Sequence, residues 1–248
     1  METEYLLRLA DDALILSHRL AQWASRAPQI EEDIALTNIG LDLLGQARAL
    51  FTRAGEWEDA GRDEDDFAYL RQERDFRCCL LVEQPDRDDF AIAMVRQLLF
   101  SAYQLPLLQE LSRSTDSEVA GIAAKGVKEV RYHLEHAAGW TIRLGDGTDE
   151  SHRRTQAAVD ALWPYTGELF ESDDVTRAVA ARGFGVDPAT VRAEWDRMVD
   201  TVLAEATLDR PAGEPRTGTG RRGVHSEQLG YLLAEMQYLH RLHPGAVW

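Results

Sequence analysis

An all-α bundle of long helices is the fold class this sequence predicts, and three observations predict it. Apolar residues recur at alternating spacings of three and four along several long stretches. Runs that alternate apolar and polar residues, as half-buried strands do, are nearly absent. One stretch, 31–57, is apolar on nearly every side, as the buried member of a bundle would be. Helices of this length, antiparallel or nearly so, pack as a ferritin-like bundle. A chain of 248 residues with 44% hydrophobic composition can bury one large core. The expectation is a single domain, 1–248, with a core bundle over about 4–171 and additional C-terminal helices over about 174–248.

The elements follow in order. Leu6, Leu9, Ala13, Leu16, Leu20 and Trp23 predict an amphipathic helix from about Glu4 to Arg26, its outer face carrying Arg8, Asp12 and Arg19. Pro28 interrupts, and Glu31, Glu32 and Asp33 suit the positive end of the second helix, which reaches about Trp57. Ile34, Leu36, Ile39, Leu41, Leu43, Leu44, Ala47, Leu50 and Phe51 mark it as central and buried, with Asn38, Asp42 and Gln46 forming one polar line at i, i+4 and i+8. A shorter helical piece is expected over Asp65–Leu81. The next helix runs from about Asp89 to Arg113, with Pro106 predicting a kink near 102–106. A Pro-free helix from Ser117 to Leu144 follows, then the turn GDGTDE with Thr148 or Asp149 as its N-cap. Three helical pieces close the chain: Asp149–Phe170, bent at Pro164; Asp187–Thr207, opened by Asp187 and Pro188; and Ser226–Leu242. Between the last two lies a Pro-, Gly- and Arg-rich loop, Asp209–Gly223.

Charge and composition exclude several function classes. The formal net charge of −16 leaves no basic excess for nucleic acid. Of 27 basic residues only Lys125 and Lys128 are lysine. No apolar run approaches a membrane span, and METEYLLRLADD lacks a basic segment followed by an apolar one, so a cytoplasmic protein with no membrane partner is expected. Cys78 and Cys79 are adjacent, which fits a reducing compartment.

The chemistry gathers on Lys125–Trp140. Lys125, Glu129 and His133 stack at i, i+4 and i+8, and Tyr132 and His136 stand four apart on the next stripe. Such a cluster binds something or forms a buried polar network. A di-iron bundle needs two Glu-x-x-His pairs, because i and i+3 project to one metal pair. None of the seven histidines has glutamate three residues before it; Asp149-x-x-His152 comes nearest, at a helix boundary. His133-x-x-His136 and His240-x-x-His243 have same-face spacing, but a hydrogen-bonded role outweighs a metal there. GTGRRG at Gly218–Gly223 lacks the strand and the Lys-Ser/Thr of a phosphate loop, and Cys78–Cys79 alone is no ligand set. Asn38, Asp42, Gln46, Lys125, Glu129 and His133 are therefore read as a buried polar network, with no catalytic, cofactor-binding or metal-binding residue assigned.

Four segments carry a resemblance: EEDIALTNIGLDLLGQAR (Glu31–Arg48), LLVEQP (Leu80–Pro85), KEVRYHLEHAAGWTIRLGDGTDES (Lys128–Ser151), and HSEQLGYLLAEMQYLHRLHPG with the terminal Trp248. In order and spacing they resemble the PaaC family of phenylacetyl-CoA epoxidase (1,2-phenylacetyl-CoA monooxygenase) subunits. The resemblance implies a ferritin-like structural subunit partnered with a catalytic paralogue that holds the di-iron centre and the acyl-CoA pocket, with a reductase among the other subunits. Set against the paralogue's Asp-Glu-Ala-Gly-His, GLDLLGQA places Leu43 at the metal glutamate and Gln46 at the histidine. Set against Lys-Glu-Glu-Ser-Phe-His, KEVRYH keeps His133 but places Val130 at the carboxylate. These four positions are then those of a degenerate di-iron site, and no cofactor is expected in this chain. The partner surface could come in part from the first and last helices, with Leu16, Leu20, Trp23, Leu233, Met236 and Leu239. The alternative is a stand-alone bundle oxidase or hydroxylase with an atypical site on His133, His136 and Glu129, and a third possibility is an interaction protein with no link to oxygenation.

Overall fold

A computed structural model describes residues 1–213 and 215–246; Trp248, which completes the C-terminal motif, lies outside them. Helix α1 spans Glu2–Ala21 and ends five residues before the expected Arg26. A series of turns follows, anchored by Trp23, whose Nε1 donates to Asp86 Oδ2 at 2.7 Å. The outer face expected for α1 is not outer. Arg8, Asp12 and Arg19 are all buried, because later elements cover them and supply partners. Arg8 pairs with Asp173 at 2.7 Å, Asp12 with Arg221 at 2.7 Å, and Arg19 Nε donates to the Glu83 carbonyl at 3.0 Å. Periodicity reads polar residues as solvated, but a buried charge persists where it is paired and hydrogen-bonded.

Helix α2, Ile30–Glu58, starts on the expected acidic triplet and ends at Asp59 in the left-handed region. Its expected central position is not observed. Ile34, Leu41 and Leu44 are 57%, 59% and 42% exposed, so one apolar stripe of α2 faces outward. The surrounded helix is α4, Phe90–Leu111, which starts on the Asp89 cap and continues through Pro106. It also corrects the expectation about apolar runs. By length and composition α4 could cross a membrane, yet 94% of its most apolar window is buried inside the bundle.

The segment expected as one helix over 65–81 is instead a π-turn at Asp66–Leu70, a 3-10 turn at Glu73–Asp75 and, beyond them, a short α3 at Leu80–Glu83. The reason lies in α1. Asp11 accepts the backbone N–H of Arg77 and Asp12 that of Cys79, both at 2.7 Å, so these donors are satisfied without helical carbonyls. Arg71 adds an ion pair to Asp11.

Helix α5, Ser117–Gly145, matches its expected bounds within one residue; its Asp116 cap accepts from Glu118 N and Val119 N. Thr148 caps α6, Asp149–Leu162, which gives way to 3-10 turns at Trp163–Tyr165 and Gly167–Phe170 rather than bending and continuing. Helix α7, Asp174–Ala181, is an element that the periodicity does not resolve; Asp173 and Thr176 form its capping box. After the Asp187-capped turn Pro188–Val191 come α8, Arg192–Glu205, and α9, Glu227–Leu242.

The bundle is two hairpins, α1 against α2 and α4 against α5, joined where α2 meets α5. Helices α6 and α8 cover α4 and α5, α7 packs on α1, and α9 lies on the Asp66–Leu70 turn. At Gly145 the end of α5 approaches α8 so closely that a Cβ would stand 2.4 Å from the Ala206 carbonyl oxygen, which accounts for the glycine.

Candidate functional site

Polar contacts between side chains of α2 and α5 run antiparallel along their seam. Glu32 meets His136 at 2.7 Å, Asp42 meets His133 at 3.1 Å, and Gln46 Nε2 donates to Glu129 Oε2 at 2.9 Å. The i, i+4 stripe of α5 thus faces the polar line of α2, as helical geometry requires. The network is smaller and wetter than its residues suggest. Asn38 is exposed and stands outside it. Lys125 reaches Glu129 at 3.3 Å, but its side chain is 75% exposed. Asp42 is half-buried, while His133 is fully buried. Burial holds the His133 imidazole below its ordinary pKa despite the Asp42 carboxylate. The neutral ring donates from Nε2 to Asp42, which leaves Nδ1 as a buried acceptor without a partner.

Deeper between α2 and α4 the polar line continues through amides. Gln104 Nε2 of α4 donates to Gln46 Oε1 at 2.9 Å, which links α4 through Gln46 to Glu129 on α5. Leu43 and Val130 are fully buried and apolar. The adjoining cavity, between Asp12, Gln46, Tyr103, Gln104 and Gly126, has a volume of about 20 Å³, the room of a single water. Asp12, the carboxylate there, is already held by Arg221 and the Cys79 N–H. A metal pair needs several free carboxylates or imidazoles on one spot; the donors found here do not fit one.

The alternative centre on His133, His136 and Glu129 is not assembled. His136 shares Glu32 with the Trp140 indole, which donates to the same oxygen at 2.6 Å, and Glu129 is turned to Gln46 and Lys125. Tyr132 lies over both imidazoles as an edge-on and tilted ring neighbour and is 48% exposed.

Two polar clusters outside this seam escape sequence reasoning. In one, Arg221 inserts from the 209–223 loop onto Asp12 and donates to the carbonyls of Arg8 at 3.1 Å and Arg77 at 2.9 Å. Glu168 accepts the Leu80 and Arg221 backbone N–H groups at 2.8 and 2.9 Å. Much of the loop's charge is paired: Arg210 meets Asp196 and Asp200 at 2.6 Å and Arg222 stands 3.8 Å from Glu171, while Arg210, Arg216 and Arg222 all remain exposed. In the other cluster Glu83, Cys78 and His225 meet in full burial. The only sequence signals are two acids, Asp11 and Asp12, inside an apolar helix, and the glutamate of LLVEQP.

The apolar surface is also differently placed. Leu16, Leu20, Trp23 and Leu233 are core and Met236 is partly buried against it; of that stripe only Leu239 is exposed. Exposed apolar residues gather instead on α2, with Ile30, Ile34, Leu41 and Leu44, and on α9, with Tyr231, Tyr238, Leu239 and Leu242.

Comparison with known proteins gives three likenesses. The model of the family described as phenylacetic acid catabolic protein matches residues 1–248. The chain is 47% identical over 246 residues to a component of the 1,2-phenylacetyl-CoA epoxidase of Escherichia coli (strain K12), a match that covers 99% of this chain and 98% of that one. In fold it is similar to a solved protein with aldehyde deformylating oxidase activity from Synechococcus, a ferritin-like helical protein, with a TM-score of 0.55 and 18% identity over 84% of this chain and 94% of that one.

Proposed function

The chain belongs to the phenylacetic acid catabolic protein family, and we propose that within it this chain is a structural rather than catalytic subunit. Its task in that reading is to support a di-iron paralogue that epoxidises phenylacetyl-CoA in a cytoplasmic hetero-oligomer, with electrons supplied through a reductase. What carries this reading is the bundle interior. Where a bundle oxygenase needs carboxylates and histidines, Leu43 and Val130 are buried hydrocarbon, and Gln46 is spent on Gln104 and Glu129. A neutral amide whose oxygen already accepts and whose nitrogen already donates is a poor ligand for a cation. The exposed aliphatic stripe on α2 supports a permanent partner, since soluble monomers seldom leave contiguous apolar patches in water.

The test is co-expression with the catalytic paralogue. One co-eluting species should form, its turnover of phenylacetyl-CoA should need both chains, and iron should follow the paralogue when the two are separated. Two irons per chain in this protein alone, or full turnover by the paralogue without it, would end the proposal.

A further inference from the structure

We propose that Cys78, Glu83 and His225 form a binding site for one divalent transition-metal ion of the zinc class, clasping the start of α9 to the turn that carries α3. Cys78 and Glu83 lie five residues apart in one segment, His225 comes from a distant one, and all three side chains are fully buried. Cys78 Sγ stands 3.9 Å from Glu83 Oε1 and 3.9 Å from His225 Nδ1, and those two atoms are 2.6 Å apart. Zinc bonds of roughly 2.0–2.3 Å keep two ligands of one ion within about 4.3 Å of each other. All three spacings satisfy that bound.

The surrounding hydrogen bonds are those that orient ligands. The far ring nitrogen of His225, Nε2, donates to the Phe76 carbonyl at 3.0 Å, which points Nδ1 at the cluster. The other oxygen of Glu83 accepts from Ser226 N at 2.9 Å and from Ser226 Oγ at 2.7 Å, which turns Oε1 inward. One atom of each residue is thereby presented to a common point. Thiolate, imidazole and carboxylate together suit zinc rather than magnesium or calcium. Among the described residues no fourth His, Cys, Asp or Glu joins them, so the remaining position goes to a non-protein ligand.

Binding exchanges protons for the ion. Without it, the Cys78 thiol keeps its proton and His225, facing an acceptor at each nitrogen, is an imidazolium beside the Glu83 carboxylate. The ion replaces the thiol proton and the Nδ1 proton, and both are released to solvent; the ligands then carry two negative charges against two positive.

The full chain, without a histidine tag and stripped with chelator, is titrated with Co²⁺ at neutral pH. One equivalent should develop a thiolate-to-cobalt absorption band that Zn²⁺ abolishes, and Zn²⁺ should raise the unfolding midpoint. Cys78→Ser should remove the band, whereas Cys79→Ser should keep it. Absence of the band in the unmodified chain, or tight binding that survives Cys78→Ser, would overturn the proposal and leave Glu83 and His225 as a buried ion pair.

Discussion

His133 Nε2 lies 3.1 Å from Asp42 Oδ2, yet the ring it belongs to is fully buried and its Nδ1 has no partner. The hydrogen bond favours a charged ring and the burial opposes it; burial is the larger influence, so the pKa is lowered. In the unfolded chain the imidazole takes up a proton near 6.5. Between that value and the lower folded one the unfolded state binds more protons, so acid favours unfolding. The contribution is whole above pH 6.5 and is lost as pH falls below it. His18, partly buried and likewise lowered by desolvation, acts with the same sign. Denaturation of the wild type and of His133→Gln at pH 8 and pH 5.5 separates the two, and the wild type should lose more stability over that interval. Equal losses would contradict the assignment of a neutral buried His133.

Gln46 is the hinge of the interior chain, accepting from Gln104 and donating to Glu129. Gln46→Leu should cost about 1–3 kcal/mol, because Gln104 Nε2 and one Glu129 oxygen lose their partner in a largely buried site. In the assembled complex, turnover should fall only in proportion to folded protein. Normal stability with abolished turnover would give Gln46 a catalytic role.

Much of this architecture was legible in the sequence, and the failures share one physical cause. The spans of α4 and α5, the Thr148 and Asp187 caps, and the seam contacts Asp42–His133 and Gln46–Glu129 follow from local spacing, which a helix enforces. What spacing does not carry is which side of a helix later elements cover. Arg8, Asp12 and Arg19 look solvated until residues 83, 173 and 221 arrive, and Leu41 and Leu44 look buried until nothing does. The 65–81 segment fails for the same reason, since its backbone donors are taken by Asp11 and Asp12 of α1.

Arg221 supplies the third prediction. Its side chain is 12% exposed and that of Asp12 only 2%. Burial holds Asp12 above the usual carboxylate range even with the guanidinium beside it. Arg221→Ala leaves the carboxylate alone and should destabilise the chain by about 3–5 kcal/mol in denaturant unfolding. Arg221→Lys should recover only part, because a point charge cannot also reach the Arg8 and Arg77 carbonyls. Adding Asp12→Asn to Arg221→Ala should restore stability, since no lone charge then remains. If the double variant were less stable than Arg221→Ala, the penalty would not come from an unpaired charge.

The outward stripe of α2 gives the last prediction, which rests on the proposed partner. Ile30, Ile34, Leu41 and Leu44 recur at helical spacing along one side of α2 and are 78%, 57%, 59% and 42% exposed. Tyr132 of α5 is 48% exposed beside the same seam, and Lys125 and Lys128, the two lysines of an otherwise acidic chain, stand exposed on that helix. An apolar helix face rimmed by acidic residues is the complement of such a surface. Leu41→Glu touches no core contact, so the isolated chain should unfold within about 0.5 kcal/mol of wild type. The same change in the complex places a carboxylate in an apolar contact and should weaken association by about tenfold or more, each 1.4 kcal/mol being a factor of ten. Lys125→Glu and Lys128→Glu should weaken it less, and salt should erase that smaller effect but not the first. Gel filtration and titration of the two purified chains measure both. Unchanged affinity in Leu41→Glu would move the partner to the other exposed apolar face, Tyr231, Tyr238 and Leu242 of α9, where Tyr238→Glu provides the matching measurement.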